Sequence, residues 1–242
     1  MSLRSSWRAV ALAGSLGTSL IRLMILRTRG PISLAQRAQW MHEAGKSALA
    51  SMSIRYRVEG PLPTRGLVVS NHLSYLDIVL FAAAHPCFFV SKAEVGRWPG
   101  FGFLARAGGT LFIDRNSRTS AARVAREMVE RMRNPIPVLV FPEGTSTDGT
   151  TVSRFHSTLF EPAVLAGVEI TAAAVRYQTA EGFYERDLCW FGEDAFVPHL
   201  WKVLAAEPFE AVIRFGEPHA ATDRRNAASA AHAEVVELRQ QR

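Results

Sequence analysis

The sequence predicts an α/β fold: a mostly parallel central sheet flanked by helices, preceded by membrane-associated N-terminal helices. Three observations lead there. β-rich runs alternate with helical patterns beyond residue 50, and that alternation is the signature of a parallel sheet with crossover helices. The segments richest in chemistry follow directly after strand-like runs, which is where α/β sheets gather their ligands. Residues 1–50 differ from the remainder in both charge and hydropathy.

The strands are expected at 54–58, 67–70, 87–90, 110–113, 136–141, 170–175 and 209–215. Each is a short run rich in β-branched, aromatic or small apolar residues. Helices are expected between them at 76–85, 99–107, 118–132, 158–166 and 196–206. A last helix at 223–238 is polar on one face and packs across the body. A chain of 242 residues with 48% apolar and 21% charged residues is globular and long enough for one sizeable core. The division expected is 1–50 as membrane-anchoring helices and 51–242 as the α/β body.

The formal charge of +6 is uneven. Residues 1–50 hold Arg4, Arg8, Arg22, Arg27, Arg29, Arg37 and Lys46 against Glu43 alone, so the body is formally neutral. That speaks against a nucleic-acid partner, whose basic surface belongs on the folded body. The basic residues flank an uncharged stretch at 9–21, short for a bilayer span of roughly 20 residues. Such a segment suits a helix lying in the interface of an anionic leaflet, or a re-entrant anchor. A secretory signal is the rival, but Arg22, Arg27 and Arg29 just beyond the apolar run favour retention on the cytoplasmic side. Pro31 then opens a second segment, 32–52. The expected location is the cell membrane, peripheral or monotopic, with the body facing the cytoplasm. Only Cys87 and Cys189 are present, which supply neither a metal ligand set nor a disulfide framework.

Asn71-His72-Leu73-Ser74-Tyr75-Leu76-Asp77 follows the run 67–70. Side chains five apart on one helix point away from each other, so His72 and Asp77 meet only across a turn. A loop into a helix starting near Ser74 supplies that turn, and a carboxylate holding the far ring nitrogen makes the imidazole a general base. Ser74 to Asp77 also fits a capping box, in which Asp77 satisfies helix-end amides and does no chemistry.

A second segment, Gly108 to Arg115, is a glycine turn and short strand that delivers Arg115 to a strand end, where a guanidinium grips a phosphate or forms a surface ion pair. The third, Phe141-Pro142-Glu143-Gly144-Thr145-Ser146, follows an apolar strand. Gly144 permits a tight turn with exposed amides, and Thr145 and Ser146 add hydroxyls, so the loop binds a polar head group or is a plain turn. Glu143 is expected to accept from substrate hydroxyls or to orient Arg115. The aromatics between Ser91 and Phe103 serve either as a membrane-facing rim where acyl chains arrive or as core packing.

Taken in order, Asn71-His72 with Asp77, Gly109 to Arg115, and Phe141 to Thr145 resemble the first three signature blocks of the glycerolipid acyltransferases, the family typified by 1-acylglycerol-3-phosphate acyltransferase. The resemblance covers about residues 50–220, and Arg214 to Pro218 is also similar. It implies His72 as base, Asp77 as its orienting partner, and Arg115, Glu143, Gly144, Thr145 and Asn71 as parts of the acceptor site. It implies no cofactor and no metal, with acyl-CoA or acyl carrier protein as acyl donor. The partners implied are the bilayer and a lysophospholipid. The acceptor expected first is 1-acylglycerol-3-phosphate, giving phosphatidic acid. The strand 170–175 lacks the proline usual in the fourth block, and Leu188 to Asp194 with Pro198-His199 resembles a branch acting on other lyso-lipids, so lyso-ornithine lipid is the alternative. From a different class, a serine-type lipid hydrolase lacks its Gly-x-Ser-x-Gly elbow here, and a non-catalytic membrane-binding protein would use the N-terminal helices alone.

Overall fold

The computed structural model describes residues 3–98, 100–114, 116–179 and 184–241. Helix α1 runs over Leu3–Thr28, 26 residues, and does not stop at Arg22. The stretch at 9–21 is therefore only the middle of a longer helix. By length and composition that helix is able to cross a membrane. Helix α2, Leu34–Met52, begins where Ser33 and Gln36 close a capping box, and ends at Ser53 in the left-handed conformation (φ 59°).

Both helices are fastened by hydrogen bonds. Arg8, expected as a flanking charge, is buried and donates to the Leu204 and Ala206 carbonyls at 3.1 and 2.7 Å. Trp40 Nε1 donates to the Ser19 carbonyl at 2.8 Å, joining α2 to α1.

The strands are β1 (Arg55–Glu59), β2 (Leu67–Ser70), β3 (Phe88–Lys92), β4 (Leu111–Ile113), β5 (Val138–Val140), β6 (Ile170–Gln178) and β7 (Glu210–His219). They form one sheet in the order β1-β7-β6-β2-β5-β3-β4. Every neighbouring pair is parallel except β6 and β7. The helices α3 (Tyr75–Ala84), α4 (Phe101–Ala107), α5 (Arg118–Met132), α6 (Glu161–Ala166), α7 (Phe196–Ala205) and α8 (Arg224–Gln240) complete the chain.

The central strands are buried on both faces, and alternation sends their side chains to two cores. Val68 and Leu139 join one cluster with Leu49 and Met52 of α2, Leu76 and Leu80 of α3 and Val203 of α7. Leu67, Val69, Val138 and Val140 join the other with Val124 and Met128 of α5, Ala163 of α6 and Val235 of α8. The first core requires α2 and α3 to approach closely at Gly45. A Cβ there would meet Val79 O and Ala83 N at 3.0 Å each. β2 ends between β5 and β6, and all three run parallel, so the loop after β2 emerges at the middle of the carboxyl edge.

Candidate active site

The chain leaves β2 at Ser70 and re-enters helix at Tyr75, with Ser74 as an extended N-cap whose hydroxyl accepts from Leu76 N at 3.3 Å. The four-residue turn brings His72 and Asp77 together. His72 Nδ1 lies 2.8 Å from Asp77 Oδ2. The same oxygen accepts from the amides of Leu73 and Ser74 at 2.7 and 3.0 Å, so Asp77 both completes the helix cap and holds the imidazole. Oδ1 accepts from the hydroxyl of Tyr177. The carboxylate is wholly buried, and His72 retains 16% of its side-chain surface. The imidazole stacks on Phe141 with centroids 4.1 Å apart.

Two further loops clamp the backbone of His72 and Leu73. Glu143 Oε1 accepts from His72 N at 2.6 Å and Oε2 from Ser153 N at 2.7 Å. Thr147 N donates to the His72 carbonyl at 2.9 Å, and Trp190 N to the Leu73 carbonyl at 2.8 Å. Burial pushes the Glu143 carboxyl above its ordinary range, and the amide bonds from Ser153 and His72 partly offset this. Only 5% of Glu143 is exposed, and its carboxylate is engaged by backbone amides, bracing the His72 loop against the loop after β5.

Asn71 is 1% exposed, and its amide is taken up by the backbone of Val175 in β6. Gly144 adopts φ 80°, the positive value its turn requires. Arg115 lies outside the described residues.

His72 lines a cavity of about 600 Å³ together with Gly144, Thr145 and Ser146. The remaining wall is mostly apolar: Leu12 and Leu16 of α1, Ala44, Ala48 and Met52 of α2, and the aromatics Tyr75, Trp98, Phe101 and Trp190. Lys92 at the end of β3 and Glu94 add charge. Two features escaped sequence reasoning. The N-terminal helices form a wall of the cavity, and Tyr177 reaches Asp77 from 100 residues away. The only hint of the second was a tyrosine close behind an expected strand.

Residues 53–176, half of the chain, match the profile of the family described as Acyltransferase. The chain belongs to the acyltransferase family. Among family members it is 41% identical over 162 residues to the lyso-ornithine lipid O-acyltransferase of Rhodobacter capsulatus, covering 65% of this chain and 58% of that protein. It is 36% identical over 170 residues to the lyso-ornithine lipid O-acyltransferase of Pseudomonas aeruginosa, covering 70% and 65%. It is 36% identical over 141 residues to the 1-acyl-sn-glycerol-3-phosphate acyltransferase of Neisseria gonorrhoeae, covering 57% and 55%. These alignments thus span less than two thirds of the relatives' lengths. The acyltransferase fold extends further than the sequence likeness. The crystal structure of the 1-acyl-sn-glycerophosphate acyltransferase PlsC from Thermotoga maritima superimposes with a TM-score of 0.69 at 21% identity, covering 99% of this chain and 96% of that one.

Proposed function

We propose that this acyltransferase-family chain moves a fatty acyl group from a thioester, acyl-CoA or acyl carrier protein, to the free hydroxyl of a lysolipid. The observation that carries the reading is an imidazole tied through Nδ1 to a buried carboxylate while its ring lines an apolar cavity of about 600 Å³. With Nδ1–H donated to Asp77, Nε2 is the basic nitrogen of neutral His72. It takes the proton of the acceptor hydroxyl as that oxygen attacks the thioester carbonyl. The tetrahedral intermediate collapses, the C–S bond breaks, and the imidazolium returns the proton to the departing thiolate. The products are an ester and a free thiol. A thioester is already activated, so the protein aligns two substrates and manages one proton.

The acceptor in this reading is 1-acylglycerol-3-phosphate, giving phosphatidic acid. Gly144 and Thr145, which line the cavity with His72, meet the acceptor head group, and Arg115 serves as the phosphate contact. Lyso-ornithine lipid is the second reading, favoured by the names of the relatives at 41% and 36% identity over the longer alignments. The chain works at a membrane surface. Leu3, Trp7, Val10, Ile21, Met24 and Ile25 of α1 are all exposed, an apolar face of the kind that partitions into a bilayer. Arg22, Arg27 and Arg29 at the end of α1 are exposed too, which favours the cytoplasmic leaflet. A serine hydrolase finds less support, because the hydroxyl of Ser146 in the Gly144 loop donates to the Trp190 carbonyl and not to His72.

The test is thiol release by the purified full chain in detergent, with acyl-CoA and acyl carrier protein thioesters in parallel and a panel of lysolipids. Acceptor-dependent release is expected, reduced roughly 10²- to 10⁴-fold in His72→Ala. Wild-type turnover by folded His72→Ala, or lysolipid cleavage without a donor, overturns the reading.

A further inference from the structure

Tyr177 stands close to the end of β6 and is 2% exposed. Its hydroxyl donates to Asp77 Oδ1, the carboxylate oxygen that His72 does not use. Its position is fixed from several sides. Its amide donates to Glu185 Oε1 at 2.8 Å, and Glu185 Oε2 is held by Arg239 Nη2 of α8 at 2.8 Å. Arg239 Nη1 also donates to the Val175 carbonyl, two residues earlier on the strand, at 2.7 Å. The ring packs on Phe209 with centroids 5.8 Å apart. A phenylalanine would meet the packing needs of such a slot. The hydroxyl has its use at Asp77. Burial, reinforced by the charge of Asp77, holds the phenol well above its ordinary range, so it stays protonated and remains a donor.

A general base in acyl transfer has two tasks that pull against each other. It accepts a proton from the hydroxyl, and it gives that proton to the thiolate. A carboxylate that holds the imidazolium too tightly slows the second step, and one free to rotate loses the alignment needed for the first.

We infer that Tyr177 is a positioning residue for His72: its hydroxyl locks the orientation of Asp77 and draws off part of the carboxylate's negative charge, limiting how tightly Asp77 grips the protonated ring. This rests on the acyl-transfer reading above. Among the described residues, the other titratable groups around the pair are Glu143 behind the His72 backbone, Glu185 and Cys189 from the segment after β6, Arg239 from α8, and Asp148 from the loop after β5. Tyr177→Phe leaves all of them in place.

The experiment is the pH profile of kcat/KM for wild type and Tyr177→Phe, using thiol release in detergent. With the donor gone, Asp77 holds the imidazolium more tightly, so the acid limb moves to higher pH by about half a unit or more. Turnover at neutral pH falls roughly three- to tenfold while both KM values stay within about twofold. In a His72→Ala background the same substitution changes the residual rate by less than about twofold, because its effect passes through the imidazole. Site-specific 3-fluorotyrosine at 177 keeps the shape and donates more strongly, so it moves the acid limb to lower pH. It decides the matter alone if Tyr177→Phe does not fold. An acid limb unmoved in both variants, or an equal loss with and without His72, overturns the inference and leaves the hydroxyl as the partner of a buried carboxylate. Wild-type turnover by folded His72→Ala sinks the acyl-transfer reading itself. A severe His72→Ala loss with unmoved limbs sinks only the role of Tyr177.

Discussion

Asn71 and Val175 pair as two strand residues do: Asn71 Nδ2 donates to the Val175 carbonyl at 3.1 Å, and Oδ1 accepts from the Val175 amide at 2.9 Å. β2 has ended one residue earlier, so this side chain extends the β2–β6 ladder by one rung just before the chain turns toward His72. Asn71→Ala orphans the buried Val175 amide, while its carbonyl keeps the bond from Arg239. The expected cost is about 1–3 kcal/mol, read as a lower denaturation midpoint with an unchanged m-value. Turnover should fall with stability, since the displaced segment carries the base. A variant as stable and active as wild type would show that the rung contributes nothing.

His72 and Asp77 should separate cleanly when each is removed. The imidazole is partly exposed, and Asp77 supports it from within the helix cap. His72→Ala should therefore lower turnover by roughly 10² to 10⁴ while changing the melting temperature little. Asp77→Asn should lower turnover comparably and also destabilise the fold, because one amide oxygen must then serve two backbone N–H groups and the ring nitrogen loses its anionic partner. Thermal melts beside thiol-release rates check the contrast. Equal stability losses in both variants would remove the distinction.

This pair also shows what the sequence made legible. The run 67–70 announced a strand, Ser74 announced a helix start, and a spacing of five required a turn between His72 and Asp77. All three are local constraints. Most of the strands were visible for the same reason: short apolar runs set off by turn residues. The bracing by Glu143, the rung made by Asn71 and the hydroxyl of Tyr177 depend on which strands lie side by side. That order, β6-β2-β5, places residues 71 and 100 positions apart in contact, and no local pattern encodes it. The extent of α1 was missed for a different reason. Arg22 interrupts the apolar run but not the helix, because arginine is a good helix former and its side chain reaches water.

The apolar cavity should measure acyl length. Ala44 lines it from α2, and Ala44→Leu fills part of the space that an acyl chain would occupy. Against a series of acyl-CoA donors, the longest chain used by the wild type should lose roughly tenfold or more in kcat/KM relative to a chain about four carbons shorter. Uniform loss across the series would mean that the substitution disturbs packing and does not set a length limit.

The exposed face of α1 should be separable from chemistry. Ile21→Glu with Ile25→Glu places two carboxylates among exposed apolar residues. Co-sedimentation with anionic vesicles should weaken by about tenfold or more, since each substitution removes buried apolar area and adds repulsion. Thiol release in detergent should stay near wild type. Undiminished sedimentation would show that another surface holds the bilayer.

Acid stability should be limited by histidines held neutral. Burial holds His199 below the ordinary histidine value of 6.5, and its ring is committed to neutral-state hydrogen bonds, with Nε2 at the Cys189 carbonyl (2.9 Å) and Nδ1 at the Tyr75 hydroxyl (3.1 Å). His85 is lowered too, by burial and by His42. The unfolded chain takes up these protons near pH 6.5 and the native state only at lower pH, so below 6.5 the unfolded state binds more protons. Stability from this source is fully present above pH 6.5 and declines as pH falls. The denaturation midpoint should drop between about pH 6.5 and 5. The slope should be shallower in His199→Gln, which keeps a donor for the Cys189 carbonyl but has no proton to gain. Parallel slopes for the two proteins would assign the acid sensitivity to other groups.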